Sequence, residues 1–376
     1  METLKLSVET LEWAAGQVGS SLGEFAQKIS SKKAEIIERG ELTPPQALKF
    51  SQIAGVPFGF LFLENPPTQR KRPLADFRTL SAPAPLSRDF YEVFDDIEYK
   101  QSWYRDYLKA ENVEPLAFVA KFAKSKASPA AIAAHMRKVL ALTDQEIQAQ
   151  RTSENLFNLI ARKSESAGIL IFKNGIVGNN THRALSVGEF RGFVISDSFA
   201  PAIFINGADA PAATVFTLAH ELAHIWLGES AISDVSSESA HREERLCNQI
   251  AAEFLIPTER FNQLWGEAGG GELSRIDHVS NRVKVSRYVV ARKALELHLI
   301  TNKIHSEIYK LMVTNAKKKK ADASGGDFYA VLPIRNSRKF STLVASMAVR
   351  GKLSLREAGN LLNTNPNNVI TFYGKQ

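Results

Sequence analysis

APAATVFTLAHELAHIWLG, residues 210–228, is apolar over a length and with a period that suit a helix rather than a strand. Phe216, Leu218, Ala219, Leu222, Ala223, Ile225 and Trp226 cover nearly its whole circumference, which predicts burial. Within it stand His220, Glu221 and His224. Their HExxH spacing places both imidazoles on one helix face, where they can share a zinc ion, with Glu221 beside them as a base for water. Polar groups on a buried helix are costly unless partnered, and one metal ion partners all three. With 8 His and 40 Asp+Glu in 376 residues, chance alone supplies roughly 0.02 such patterns. The alternative is a pair of satisfied core histidines.

Upstream the period changes. GILIFK (168–173), GFVISD (192–197) and PAIFING (201–207) are short apolar runs bounded by Gly, Asn, Asp and Pro, which predicts three strands. A small three-stranded sheet packed on helices makes this region α+β in a mostly helical chain. Residues 88–163 carry DFYEVFDDIEYKQSWYRDYL and AIAAHMRKVLAL, read as two or three long amphipathic scaffold helices. Residues 8–63 read as a run of five short helices with a tight turn between the second and third, the geometry of a helix-turn-helix. A plain small bundle is the alternative there. Beyond Pro257, residues 273–300 and 352–372 each suggest two helices joined by a tight turn, and KKKKADASGG (317–326) reads as a tether. The expected division is 1–68, 69–163, 164–262, 263–316, 317–326 and 327–376.

A catalytic zinc site needs a third protein ligand and an open fourth position. A third His six residues after His224, following a glycine, would mark a metzincin, but Leu227 and Ser230 occupy those positions. A glutamate on a later helix remains. SESAHREERLCNQIAAEFLIP (237–257) offers Glu238, Glu243, Glu244 and Glu253, with His241 as an outsider. Helical phase does not choose among them. Glu244 shares its face with Ala240, Cys247, Asn248 and Ala251, small residues that allow close helix approach, and this favours Glu244.

These residues together, FTLAHELAHIWLG followed by Glu244-Arg245-Leu246-Cys247-Asn248 and AAEFLIP, resemble the ImmA/IrrE family of zinc metallopeptidases, with Cys247 where alanine is usual. The resemblance implies that Glu244 is the third ligand of a gluzincin-like site, with His220 and His224 the other two and Glu221 catalytic. It extends outward: residues 11–67, with Ile37-Glu38-Arg39-Gly40 and Pro44, resemble an Xre/lambda-repressor-type helix-turn-helix domain. Residues 74–79 resemble the linker after such a domain, and Val285-Ser286 with 287–300 resembles the segment trailing the peptidase core. The implied activity is regulated cleavage of a repressor or partner protein in a stress, phage-defence or mobile-element response. The other implied role is a DNA-binding regulator or antitoxin with an inactive or conditional peptidase fold.

Charge and composition bound the partners. No apolar run approaches the roughly 20 residues that span a bilayer, no signal-peptide pattern opens METLKLSVETLEW, and one cysteine excludes an internal disulfide framework. A cytoplasmic protein with no membrane partner is expected. Residues 1–68 hold six basic and eight acidic side chains, whereas residues 301–376 hold thirteen basic and four acidic. In the N-terminal helices, DNA contact would rest on Lys32, Lys33 and Arg39, opposed by Glu35 and Glu38, so this module should bind DNA weakly. The basic surplus is C-terminal, and a polyanion is first sought there. The expected partners are a repressor-like protein substrate or a cognate toxin, with DNA and a second copy of the chain beside them.

Overall fold

The computed structural model describes residues 3–18, 20–66, 75–76, 86–233, 242–308 and 327–375. The chain divides into two compact units, Met1–Pro73 with Ala84–Glu92, and Leu74–Pro83 with Val93–Gln376.

Among the described residues the first unit holds α1 (Val8–Gly16), α2 (Leu22–Ile29), α3 (Ala34–Glu38) and α4 (Pro44–Ala54), and the start of a later helix, Arg88–Glu92, also belongs to it. Ser21 and Glu24 close a capping box on α2, and Pro44 sets the first turn of α4. β1 (Leu4–Lys5) pairs antiparallel with β2 (Glu41–Leu42). Leu11, Phe25, Ile37, Phe50 and Leu61 form the buried core, with the Phe25 and Phe50 rings 4.5 Å apart. Five α-helices are predicted here; two of the turns are 3₁₀ instead, Ser31–Lys33 and Phe58–Phe62. Ser30 leaves α2 in an extended conformation and caps nothing with its side chain, so the third helix opens as a tight turn before settling into α3.

The second unit is built around a five-stranded sheet in the order β3-β9-β7-β8-β4. Its strands are β3 (Ala75–Asp76), β4 (Leu170–Asn174), β7 (Gly192–Ile195), β8 (Ala202–Asn206) and β9 (Ala231–Ser233). A separate hairpin pairs β5 (Ile176–Val177) with β6 (Asn180–Ala184). The sequence predicts three strands; β4, β7 and β8 are those three, and β9 and β3 extend the sheet beyond β7. Two or three residues carry no readable period, so strands this short take their conformation from pairing alone. Phe193 and Phe204, opposite one another on β7 and β8, stack at 5.1 Å.

The helices of the described residues include α5 (Arg88–Ala110), α6 (Pro129–Val139), α7 (Asp144–Gln148), α8 (Ser153–Ser166), α9 (Pro211–Leu227), α10 (Arg242–Leu255), α11 (Thr258–Glu267), α12 (Glu272–Val283) and α13 (Arg287–Glu296). Four more close the chain: α14 (Phe328–Arg335), α15 (Arg338–Val349), α16 (Leu355–Leu361) and α17 (Pro366–Gly374). The helix α9 begins with Pro211 and ends at Gly228, and it packs against α8, α10, β7 and β8. Every residue from Thr214 to Leu227 is buried, as its all-round apolar surface predicts. Phe118 stacks on Trp226 at 4.6 Å, and the Trp226 indole N–H donates to His135 Nδ1 at 2.9 Å. The 317–326 tether and most of the 74–79 linker lie outside the described residues. Among the described residues no helix is long and apolar enough to cross a membrane.

Candidate metal centre

His220 and His224 sit one turn apart on α9 and face α10, whose first turn carries Glu244. The two imidazole Nε2 atoms are 3.1 Å apart. Glu244 brings Oε2 to 3.1 Å from His220 Nε2 and Oε1 to 3.2 Å from His224 Nε2. Three side chains from two helices thus bring one ligand atom each within 4.8 Å of one another. All three side chains are buried, both imidazoles completely.

The remaining ring nitrogens explain the orientation. His220 Nδ1 lies 3.1 Å from Asn248 Oδ1, and His224 Nδ1 lies 3.2 Å from Glu229 Oε2. With the Nδ1 protons assigned to these bonds, both Nε2 lone pairs turn toward Glu244. Two Nε2 atoms and a carboxylate crowd one buried spot, where a proton or a metal ion balances the charge. Tetrahedral zinc with Zn–N distances of about 2.0–2.1 Å needs its ligand atoms about 3.3 Å apart, and the observed separations fit. The donor set of His220, His224 and Glu244 therefore suits zinc.

Burial lowers the His220 pKa despite the Glu244 carboxylate beside it, so its imidazole is neutral and ligand-competent at pH 7. At His224 burial acts in the same direction, but hydrogen bonding to Cys247, Glu229 and Glu244 outweighs it and raises the value well above the ordinary one, so a metal ion at Nε2 would bind by displacing a proton from this ring. Burial opposes ionisation of Glu244 too, yet the two imidazoles hold its carboxyl far below the usual carboxylate range. Cys247 approaches His224 Nδ1 to 3.5 Å. Burial pushes the Cys247 thiol up to about 11, so at neutral pH it is an S–H group and the anionic partner of Nδ1 is Glu229.

Glu221 points from α9 toward β7 and is fully buried. Gly192 on β7 makes room for it: a Cβ there would lie 2.9 Å from Glu221 Oε1 and 3.0 Å from both Thr217 Cγ2 and the Phe204 carbonyl oxygen. Sequence reading misses this glycine, because only the pairing of β7 with β8 brings it to α9. It also misses Glu229, five residues past His224, which the left-handed cap at Gly228 turns back onto the ring. Asn248 was within reach of such reading, being one helical turn after Glu244 on the same face.

Of the other candidate ligands, Glu243 is exposed at the start of α10. Glu253, near the far end of that helix, accepts from Lys293 Nζ at 2.8 Å and from the Thr258 backbone N–H at 3.1 Å, and takes no part in the cluster. Glu238 and His241 lie outside the described residues. Lys32, Lys33 and Arg39 are exposed in the first unit.

The family model described as the IrrE N-terminal-like domain, of the peptidase M78 family, matches residues 165–295, about a third of the chain. That span runs from the end of α8 to the end of α13 and contains the whole donor cluster. A second model, of a domain of unknown function, matches residues 336–375. Neither the curated proteins nor the solved structures gave a match to the chain.

Proposed function

We propose that the protein is a zinc-dependent endopeptidase of regulatory type, cutting a specific repressor or partner protein. The observation that carries this reading is the convergence of His220, His224 and Glu244 at 3.1–3.2 Å, with each imidazole anchored from behind. The peptidase-family match over the same residues supports it. Zinc held by these three side chains would polarise a peptide carbonyl and acidify water, the two things amide hydrolysis lacks at neutral pH.

The chain's own groups supply the rest. Glu221, adjacent to His220 on α9, accepts the proton of the attacking water and returns it to the leaving amine nitrogen. Gly192 leaves the space on β7 that its carboxylate occupies. Asn248 and Glu229 fix the ring orientations and keep both Nδ1 atoms as donors. Full burial of Glu221 and of both imidazoles supports activity that is conditional on exposing them. That burial, with the helical N-terminal unit, is also what favours a second reading, a DNA-binding regulator or antitoxin whose peptidase fold is silent.

A comparison of new protein N-termini in cells producing the wild type or Glu221→Gln tests the proposal. Cleavage products present with the wild type and absent with the variant, while both retain about one zinc per chain, are the expected result. Identical products from both would contradict it.

A further inference from the structure

The C-terminal helices α14 to α17 lie outside the metal centre, and the family model over them carries no function. We propose that α16 and α17 form a second, independent site that binds duplex DNA, with α17 as the helix presented to the major groove. This is not the N-terminal module, and it does not depend on the metal centre being loaded.

The local geometry is a rigid helix-turn-helix. α16 ends at Leu361, Asn363 takes a left-handed conformation at φ 50°, and Asn365 caps α17 by accepting from the Asn367 N–H at 3.2 Å, with Pro366 in the first turn. A Cβ at Gly359 would lie 2.7 Å from the Thr364 carbonyl oxygen, so only glycine lets α16 pass this close to the turn. Thr364 N–H in turn donates to the Gly359 carbonyl at 2.8 Å. Two helices joined by a turn this short and this tightly packed hold one fixed angle.

The pair is mounted firmly. Arg335 donates to Asn179 Oδ1 at 2.9 Å, and Asn179 donates to the Asn363 carbonyl, so the β5–β6 hairpin braces the turn. Ser337 Oγ and the Arg338 N–H both donate to the buried Glu165, at 2.6 and 2.7 Å. The buried Lys100 spans Asp96 and Asn336.

What α17 leaves exposed has the chemistry of a reading surface. Val369 and Phe372 turn into the bundle, while Asn365, Asn367, Ile370 and Thr371 are exposed, Ile370 by 49%. Asparagine amides pair with adenine edges, threonine hydroxyls with several bases, and an aliphatic group with the thymine methyl. No acidic residue occurs on α17. Residues 327–375 hold seven basic and two acidic side chains, and Arg350, Lys352 and Arg356 are exposed around the start of α16, where phosphates flank a groove-bound helix. A protein partner would want a contiguous apolar face, whereas on α17 only Pro366 and Ile370 are exposed apolar side chains, set among exposed Asn365, Asn367 and Thr371.

The test uses the full-length protein and a fluorescein-labelled duplex of about 30 base pairs with a randomised centre, followed by anisotropy across a salt series. The Lys352→Glu/Arg356→Glu variant should weaken binding at least about tenfold at low salt and lower the salt slope by about two. Asn367→Ala/Thr371→Ala should keep the non-specific affinity within about twofold and lose the sequence preference that the wild type selects from the random pool. Unchanged thermal unfolding of both variants shows that their folds are intact. The proposal is overturned if the charge variant binds as the wild type does, if Lys32→Glu/Lys33→Glu alone abolishes binding, or if the wild type enriches no sequence. It is overturned equally if the reading variant keeps its DNA preference and instead loses a bound protein.

Discussion

Glu244 and Glu253 stand on the same helix, are both largely withdrawn from water, and solve the problem of a buried carboxylate in opposite ways. Glu253 has a cation of its own: Lys293, 3% exposed, reaches it at 2.8 Å, and Thr258 adds two further donors. Among the described residues Glu244 meets the Nε2 edges of two imidazoles whose other edges are already engaged. The first carboxylate is neutralised by the chain, and the second is arranged so that a cation from outside completes it. A buried acid with a lysine is architecture; a buried acid with two converging imidazoles is a donor set suited to a metal.

The largest effect that separates the two is chelation. Stripping zinc should destabilise the wild type by about 4 kcal/mol where zinc exceeds its dissociation constant a thousandfold, read as a drop in thermal midpoint. The chelator should leave the midpoint of Glu244→Ala unmoved. Lys293→Met comes next. It leaves Glu253 without its cation and should cost about 3 kcal/mol in denaturant melts, with zinc content unchanged.

The pH dependence sharpens the same contrast. Burial pushes the Glu253 carboxyl up, but Lys293 and Thr258 outweigh it and hold its pKa below the ordinary 4.5. A carboxyl with a lower pKa in the folded chain contributes stability that is fully present above 4.5 and is lost as the pH falls below it. Lys293→Met should therefore show a shallower loss of stability below pH 4.5 than the wild type, measured by urea melts across that window.

Gly192→Ala forces a methyl group against Glu221, Thr217 and the Phe204 carbonyl. It should cost about 2 kcal/mol and reduce cleavage while zinc stays bound. Cys247→Ala should have the smallest effect, about 1 kcal/mol or less in stability and none on zinc stoichiometry, because the buried thiol is protonated at neutral pH. Loss of zinc in Cys247→Ala would instead make the thiol a ligand and break the assignment of Glu244.

What the sequence made legible follows the range of the interactions. His220, Glu221 and His224 announce themselves because an α-helix repeats every 3.6 residues and the spacing is contained in one turn. Helical phase does not pick out Glu244; the small side chains around it favour it, and the family resemblance points to it. Gly192 and Glu229 act through contacts set by sheet pairing and by the turn at Gly228, and nothing local to either residue signals them. The same limit explains β3 and β9, which are too short for any period and exist only as ladder partners. The helix-turn-helix at α16 and α17 is visible as two helices with a tight turn, but Asn363 in its left-handed conformation and the closeness of Gly359 to Thr364 needed coordinates.

Elemental analysis of full-length wild type and Glu244→Ala, purified identically and exposed to equimolar zinc, tests the metal centre most directly. About one zinc per chain in the wild type and close to none in the variant is the predicted outcome. Equal zinc in the two proteins, or none in the wild type, would contradict it.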